Sequence, residues 1–335
     1  MHKLPLSGLI LASALTAFLP AWAEPPGTAN ATTGERSIAE WLLRMHEASR
    51  RRAYVGTLVV SAGGNMSSSR VWHVCDGTQQ MERVDALTGA PRSTFRRNDE
   101  VVTFSPQTRV AVAERRESLG LFPHLLKSTD ASIDQYYSAS ALGSERVAGF
   151  EADVVQLQPR DKLRFGYRIW SEKRSGLVLK MQTLDEQTKV LEQVAFSELQ
   201  LDAPVSMDKL SRMMANTEGY KVVSPELVKT TAAAEGWRLV QDVPGFRPMS
   251  CLRRPSTSGP DALQWVFSDG LASVSLFIEP FDPRRHLQEG LQGMGATYAL
   301  TRRLVARGGP WWLTLVGEVP PQTLQAFAQA LERTP

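Results

Sequence analysis

Between residues 152 and 201 the chain alternates side chains at period two, and this constrains its fold more than any other feature. Leu163, Phe165, Tyr167 and Ile169 alternate with Arg164, Gly166, Arg168 and Trp170. Residues 171–176 and 185–188 are turn-rich and return the chain to two further runs, 177–184 and 189–201. Successive side chains of a strand point to opposite faces. The stretch therefore predicts a three-stranded antiparallel meander with one apolar face. Leu163, Phe165, Tyr167 and Ile169, with Leu177, Leu179 and Met181 on the next strand, are the residues assigned to that face. Two roles fit them equally: the lining of a lipid pocket, or a plain packed core.

The same period runs upstream. Ser37 and Glu40 form a capping box, and Ile38, Trp41, Leu42 and Met45 give one apolar stripe, so a helix is expected to about Arg51. Arg50, Arg51 and Arg52 suit the negative end of its dipole. From Tyr54 the period becomes two. Strands are expected at 54–61, 70–75, 81–87, 93–97, 100–105 and 109–113, with a loop at 62–69. Short strands at this spacing predict a large antiparallel sheet or barrel. The apolar run 118–128, broken by Gly120 and Pro123, reads as a short helix over the sheet, and strands resume near 136–137 and 145–149.

Asp202, Ala203 and Pro204 end the pattern. Residues 205–235 read as a linker with one short helical segment, which leaves a larger domain at 37–204 and a smaller α+β domain at 236–335. In the smaller one, 263–268 and 271–279 flank Asp269-Gly270, a strong hairpin signal. A brief helix is expected at 283–291 and a strand pair at 297–306 and 311–319. Pro320 and Pro321 open a last helix with Leu324, Phe327, Ala328 and Leu331 on one face.

The N-terminus reads as an address. A positive start at Lys3, an apolar run at 4–19 and Ala21-Trp22-Ala23 make residues 1–23 a secretory signal peptide, cut between Ala23 and Glu24. A membrane anchor is the rival, but the apolar run falls short of the ~20 residues that a spanning helix needs. Residues 24–36 are a flexible leader. The expected location is the periplasm. Cys75 and Cys251 are the only two cysteines of 335 residues, in different domains. They are read as separate, partly buried thiols, although an oxidising compartment permits a bridge.

A search for chemistry finds little. The five histidines (His2, His46, His73, His124 and His286) are scattered, and no zinc spacing, nucleophile elbow or phosphate loop occurs. His73 and His124 read as core imidazoles. Six adjacent Arg pairs read as solvated rims, because neighbours on a strand face opposite ways. The net charge of +3 gives no support for nucleic-acid binding. No cofactor, metal or enzymatic activity is expected, and binding is the remaining function.

Several segments carry a resemblance. AYVGTLVV after the opening helix, RVAGFEADVVQLQPRD, RFGYRIW and GLVLKMQTLDEQTKVLEQVAFSEL resemble the MucB/RseB family of periplasmic sigma-E regulators. So do VPGF, SDGLASVSLFIEP, GMGATYALTRRL and VGEVPPQTL in the smaller domain. The resemblance implies an α+β fold: a LolA/LolB-like half-open antiparallel barrel with covering helices, plus a smaller α+β domain. It implies a non-enzymatic protein that binds the periplasmic domain of a transmembrane anti-sigma factor and shields it from regulated proteolysis. Release by lipopolysaccharide or another lipid, and self-association into a homo-oligomer, are implied as well. The rivals are a periplasmic lipid or lipoprotein carrier of LolA type and an exported hydrolase. The family supplies no compact motif from which functional residues can be transferred.

Overall fold

Local chemistry builds the first element as expected. Ser37 Oγ accepts from the Glu40 N–H at 3.2 Å, and Glu40 Oε2 accepts from the Ser37 N–H at 2.9 Å. Helix α1 (Ile38–Arg51) starts there and buries Ile38, Leu42, Met45 and Ala48 along one face. The computed structural model describes residues 37–115, 133–255, 260–306 and 308–334.

The chain then runs through β1 (Tyr54–Ala62), β2 (Asn65–Cys75), β3 (Gln80–Ala86), β4 (Ser93–Arg97), β5 (Glu100–Ser105) and β6 (Val110–Arg115). After α2 (Ile133–Tyr136) come β7 (Tyr137–Val147), β8 (Phe150–Pro159), β9 (Gly166–Glu172), β10 (Val178–Leu184) and β11 (Val190–Leu201). Residues 205–235 carry α3 (Met207–Ala215), β12 (Lys221–Val223) and β13 (Val228–Lys229). The remainder is β14 (Trp237–Leu239), β15 (Arg247–Arg254), β16 (Ala262–Ser268), β17 (Ser273–Pro280), β18 (Gly290–Met294), β19 (Thr297–Ala306), β20 (Gly309–Gly317), α4 (Pro321–Ala330) and β21 (Leu331–Arg333).

Twelve strands form one sheet in the order β12-β6-β5-β4-β3-β2-β1-β11-β10-β9-β8-β7. Its two ends, β12 and β7, do not pair, so the sheet stays open. All neighbours are antiparallel except β12, which runs parallel to β6. Helix α1 covers one part of the sheet, packing Leu42 and Met45 with Tyr137, Tyr167 and Ile169. Helix α3 covers another, packing Leu210 and Met214 with Met81, Phe95, Phe104 and Ala111. The fold is the α+β class expected, with a large half-open sheet under helices and a smaller α+β lobe.

The smaller lobe is a seven-stranded sheet, β13-β15-β16-β17-β20-β19-β18, with α4 against it. Phe327 of α4 packs 4.9 Å from Phe267 and 5.6 Å from Phe246, ring centre to ring centre. A two-stranded ribbon, β14 with β21, completes it. The segment between the lobes is tied to both: β12 extends the large sheet and β13 pairs with β15 of the small one.

Three local expectations change. The loop expected at 62–69 shrinks to Gly63 and Gly64, both at positive φ, because β1 and β2 pair up to Ala62 and Asn65. Residues 283–291 hold no helix; turns follow Asp282, and Gly290 starts β18. The two strands expected near 136–137 and 145–149 are one strand, β7, with an irregularity between Ala141 and Ser144. The run 118–128 and His124 lie outside the described residues, as do residues 1–36.

Candidate functional site

The seven residues assigned to one apolar face go to three places. Leu163 and Phe165 precede β9 and face the small lobe: Leu163 packs on its core, and the Phe165 ring lies 6.3 Å from that of Tyr298. Tyr167, Ile169 and Met181 lie under α1 with Leu42 and Met45. Leu177 and Leu179 join Trp170, Val194 and Phe196 in another cluster. A β-bulge parts Leu177 and Leu179 from Met181. Val178 pairs with Ser171 and Lys180 with Trp170, so Leu179 is an extra residue that shifts the alternation. Except for half-buried Leu163, all are buried.

An opening lies elsewhere, between α3 and the large sheet. Val55, Trp72 and Arg83 sit directly opposite one another across β1, β2 and β3 and form its floor. Pro204, Leu210 and Met213 form its wall, and the groove encloses about 400 Å³. Ser206 caps α3 by accepting from the Lys209 N–H at 3.2 Å. Arg83 is fixed: it holds Asp85 through two hydrogen bonds of 2.9 and 2.6 Å and lies 4.9 Å over the Trp72 ring. With Arg83 neutralised, the groove presents mainly apolar surface, with exposed Lys209 at its rim. Apolar concavities with few polar groups are the usual form of a ligand site. Met207, Leu210, Met213 and Met214 carry a helical spacing that identifies α3 in the sequence, but nothing local says which sheet face it covers.

The second feature is the seam between the lobes. Arg164 is fully buried, and its Nε donates to Asp269 Oδ2 at 2.6 Å. Its other nitrogens donate to Asp161 and to the Pro244 carbonyl. The guanidinium is sandwiched between the rings of Tyr136 at 4.3 Å and Phe246 at 4.9 Å. Asp269 is the turn residue of the β16–β17 hairpin. It accepts from the Leu271 and Ala272 N–H groups at 2.9 and 2.7 Å, and from the Tyr137 hydroxyl at 3.1 Å. Leu271, at the tip of that hairpin, inserts into the large lobe's core beside Leu42 and Met45. Thr323 of α4 donates to the Leu163 carbonyl at 2.7 Å. A glycine is required at 245: a Cβ there would lie 2.0 Å from Arg164 Nη2.

Ionisation follows burial. Burial pushes the Tyr137 and Tyr167 hydroxyls far above their ordinary range, and Asp269 adds to it. Glu192 of β11 and Glu318 after β20 are both raised by burial, and Glu318 is raised further by Glu192. His73 is buried, is bonded through Nδ1 to the Arg52 carbonyl at 2.8 Å and is stacked on Tyr54. Burial lowers its pKa, which keeps the ring neutral. Among the described residues, no group of three or more His, Cys, Asp or Glu is placed to hold a metal ion. Cys75 and Cys251 are free thiols.

Comparison with known proteins matches both halves of this architecture. Residues 37–214 fit the MucB/RseB N-terminal domain and residues 231–332 the MucB/RseB C-terminal domain. The chain belongs to the MucB/RseB family. The sigma factor AlgU regulatory protein MucB of Pseudomonas aeruginosa is 30% identical over 305 residues, covering 89% of this chain and 92% of that protein. The sigma-E factor regulatory protein RseB of Escherichia coli is 23% identical, with 91% of this chain and 93% of that protein covered. A crystal structure of MucB in complex with MucA(peri) superposes with a TM-score of 0.70 at 26% identity, covering 89% of this chain and all of that one. These MucB/RseB relatives bear the names of regulators, not of enzymes.

Proposed function

We propose that this chain is exported to the periplasm and there binds the periplasmic domain of a transmembrane anti-sigma factor. One observation carries the reading: a protein of the same two-lobed fold, similar over 89% of this chain, is solved in complex with MucA(peri). The bound protein covers the segment that a regulated protease would cut, and so restrains the stress sigma factor. A ligand favours the state that it binds, so shielding follows from affinity. The larger lobe, 37–204, and the smaller, 236–335, act together. The buried Arg164–Asp269 pair supports that, since it holds them in one geometry.

Release by lipopolysaccharide or another lipid belongs to the same proposal. Support comes from the groove under α3, which offers an apolar floor at Trp72 and Val55 and a lysine at its rim. An acyl chain suits the floor and an anionic headgroup suits Lys209. A lipid that prefers a rearranged protein lowers the affinity for the partner. Self-association into a homo-oligomer completes the expectation.

The test is a titration of residues 24–335 against the purified periplasmic domain of a transmembrane anti-sigma factor from the same organism, with and without lipopolysaccharide. Tight binding that weakens with lipid supports the whole reading. Binding indifferent to lipid removes the release step. No binding, with retained lipid binding, replaces the regulator by the carrier.

A further inference from the structure

We propose that the small lobe holds a carboxylate-binding pocket, built from Trp237, Trp311 and Arg333, that takes a carboxyl group of a peptide. The inference is independent of the proposal above, since it rests only on this pocket.

The pocket lies where the β14–β21 ribbon meets the seven-stranded sheet and has a volume of about 150 Å³. Its floor is apolar: Leu263 and Ile278 are buried there. Trp237 and Trp311 meet edge to face, 5.4 Å apart at 88°. The Arg333 guanidinium lies 4.0 Å over the Trp311 ring and 5.4 Å from that of Trp237, so stacking fixes its plane.

Two hydrogen-bond donors at this pocket are buried without a partner: Trp311 Nε1 and Arg333 Nη1. A buried donor left unmade costs about 1–3 kcal/mol, so a pair of them on two side chains that line one cavity calls for an acceptor. The neighbouring cation does not share the need. Arg253 is held by Glu235 at 2.5 Å, and Glu235 also accepts from Thr230 at 2.8 Å. Arg333 forms no ion pair among the described residues. The acceptor that satisfies a fixed guanidinium N–H and an indole N–H together, and neutralises the unpaired charge, is a carboxylate. The volume admits a carboxyl group with a few carbons, which the indole faces cover. Exposed Asp261 at the mouth opposes it electrostatically.

The carboxylate comes from a peptide terminus or from an Asp or Glu side chain, and the probes separate these. Residues 24–335, labelled with ¹⁵N, are titrated with N-acetyl-Ala-Ala, with its C-terminal amide, and with N-acetyl-Ala-Glu-Ala amide. The Trp311 indole N–H resonance, assigned by its loss in Trp311→Phe, is followed. The expected result is a saturable shift with at least one carboxylate probe and none with the neutral amide. Read in the variant from the neighbouring Trp237 indole N–H, the affinity falls about tenfold in Trp311→Phe, which keeps an aromatic ring but removes the donor, in line with one hydrogen bond to a charged group. Asp261→Asn tightens binding, a change that a merely structural role of Arg333 would not produce. No shift at millimolar concentration of either carboxylate, or an equal shift with the neutral amide, overturns the proposal. So does unchanged affinity in Trp311→Phe.

Discussion

Arg164 and Arg96 are both buried against a carboxylate, yet they hold different things together. Arg96 meets Glu82 from the adjacent strand, at 3.1 and 2.8 Å, and donates also to the Asn98 carbonyl and Gln80. All four residues lie within β3, β4 and the turn after it. Arg164 meets Asp269 from 105 residues away, across the seam. Both of its side chains are fully excluded from water, whereas those of Arg96 and Glu82 keep 9% and 7% exposure. The first pair decorates a sheet that its own strand ladder already fixes. The second is a principal link between two lobes that share no ladder. A buried ion pair is weak evidence for net stability, because desolvation offsets attraction, but removing one partner is costly. The difference teaches where that cost falls: on one strand pair in one case, on the geometry of the whole molecule in the other.

The comparison can be broken most strongly at the seam. Asp269→Ala leaves Arg164 with Asp161 and the Pro244 carbonyl but takes the acceptor from its buried Nε, from the Tyr137 hydroxyl and from two turn N–H groups together, and should cost about 3–5 kcal/mol in urea unfolding, with a second transition as the lobes uncouple. A single unshifted transition would show that the pair does not join them. Gly245→Ala should cost about 1–3 kcal/mol, because its Cβ intrudes on Arg164 and the residue sits at a φ of +81°. Glu82→Gln should cost about 1–3 kcal/mol with one transition retained, since Arg96 keeps two acceptors and the ladder persists. A loss equal to that of Asp269→Ala would erase the distinction drawn between the pairs.

The smallest expected effect sharpens it by sign. Glu318 and Glu192 are held above the ordinary carboxylate range, so the folded protein binds their protons more tightly than the unfolded chain. Their contribution to stability grows as pH falls through the raised values and is lost as pH rises above them. Glu318→Gln should therefore raise the melting temperature slightly at pH 7, and the gain should vanish at about pH 4, where unfolded carboxyls are also protonated. A gain that persists into acid would point to packing rather than charge.

Much of the fold is legible in the chain itself, and particular residues show why. Ser37 and Glu40 are three apart, and Asp269-Gly270 sits between two alternating runs. Both signals act over a few residues, so sequence spacing carries the whole interaction. The twelve-stranded sheet follows from period-two runs for the same reason. The family is legible because its segments recur in order along the chain.

The seam and the two candidate sites are not legible in that way. Arg164 looks in the sequence like any outward residue of an alternating strand, yet it is 1% exposed. Nothing near it in the chain signals Asp269, Pro244 or Phe246. Leu177 and Leu179 leave the expected face because a single bulge residue reverses the pleat, and a bulge is set by the partner strand rather than by the residue itself. Trp237, Trp311 and Arg333 stand apart in the chain and meet only when the ribbon closes against the sheet. Short-range periodicity and capping depend on neighbours in sequence, so the sequence by itself determined most of the elements, their order and a large antiparallel sheet. Burial of charge, the seam and both cavities depend on which surfaces are pressed together across long loops, and only the tertiary structure decided those.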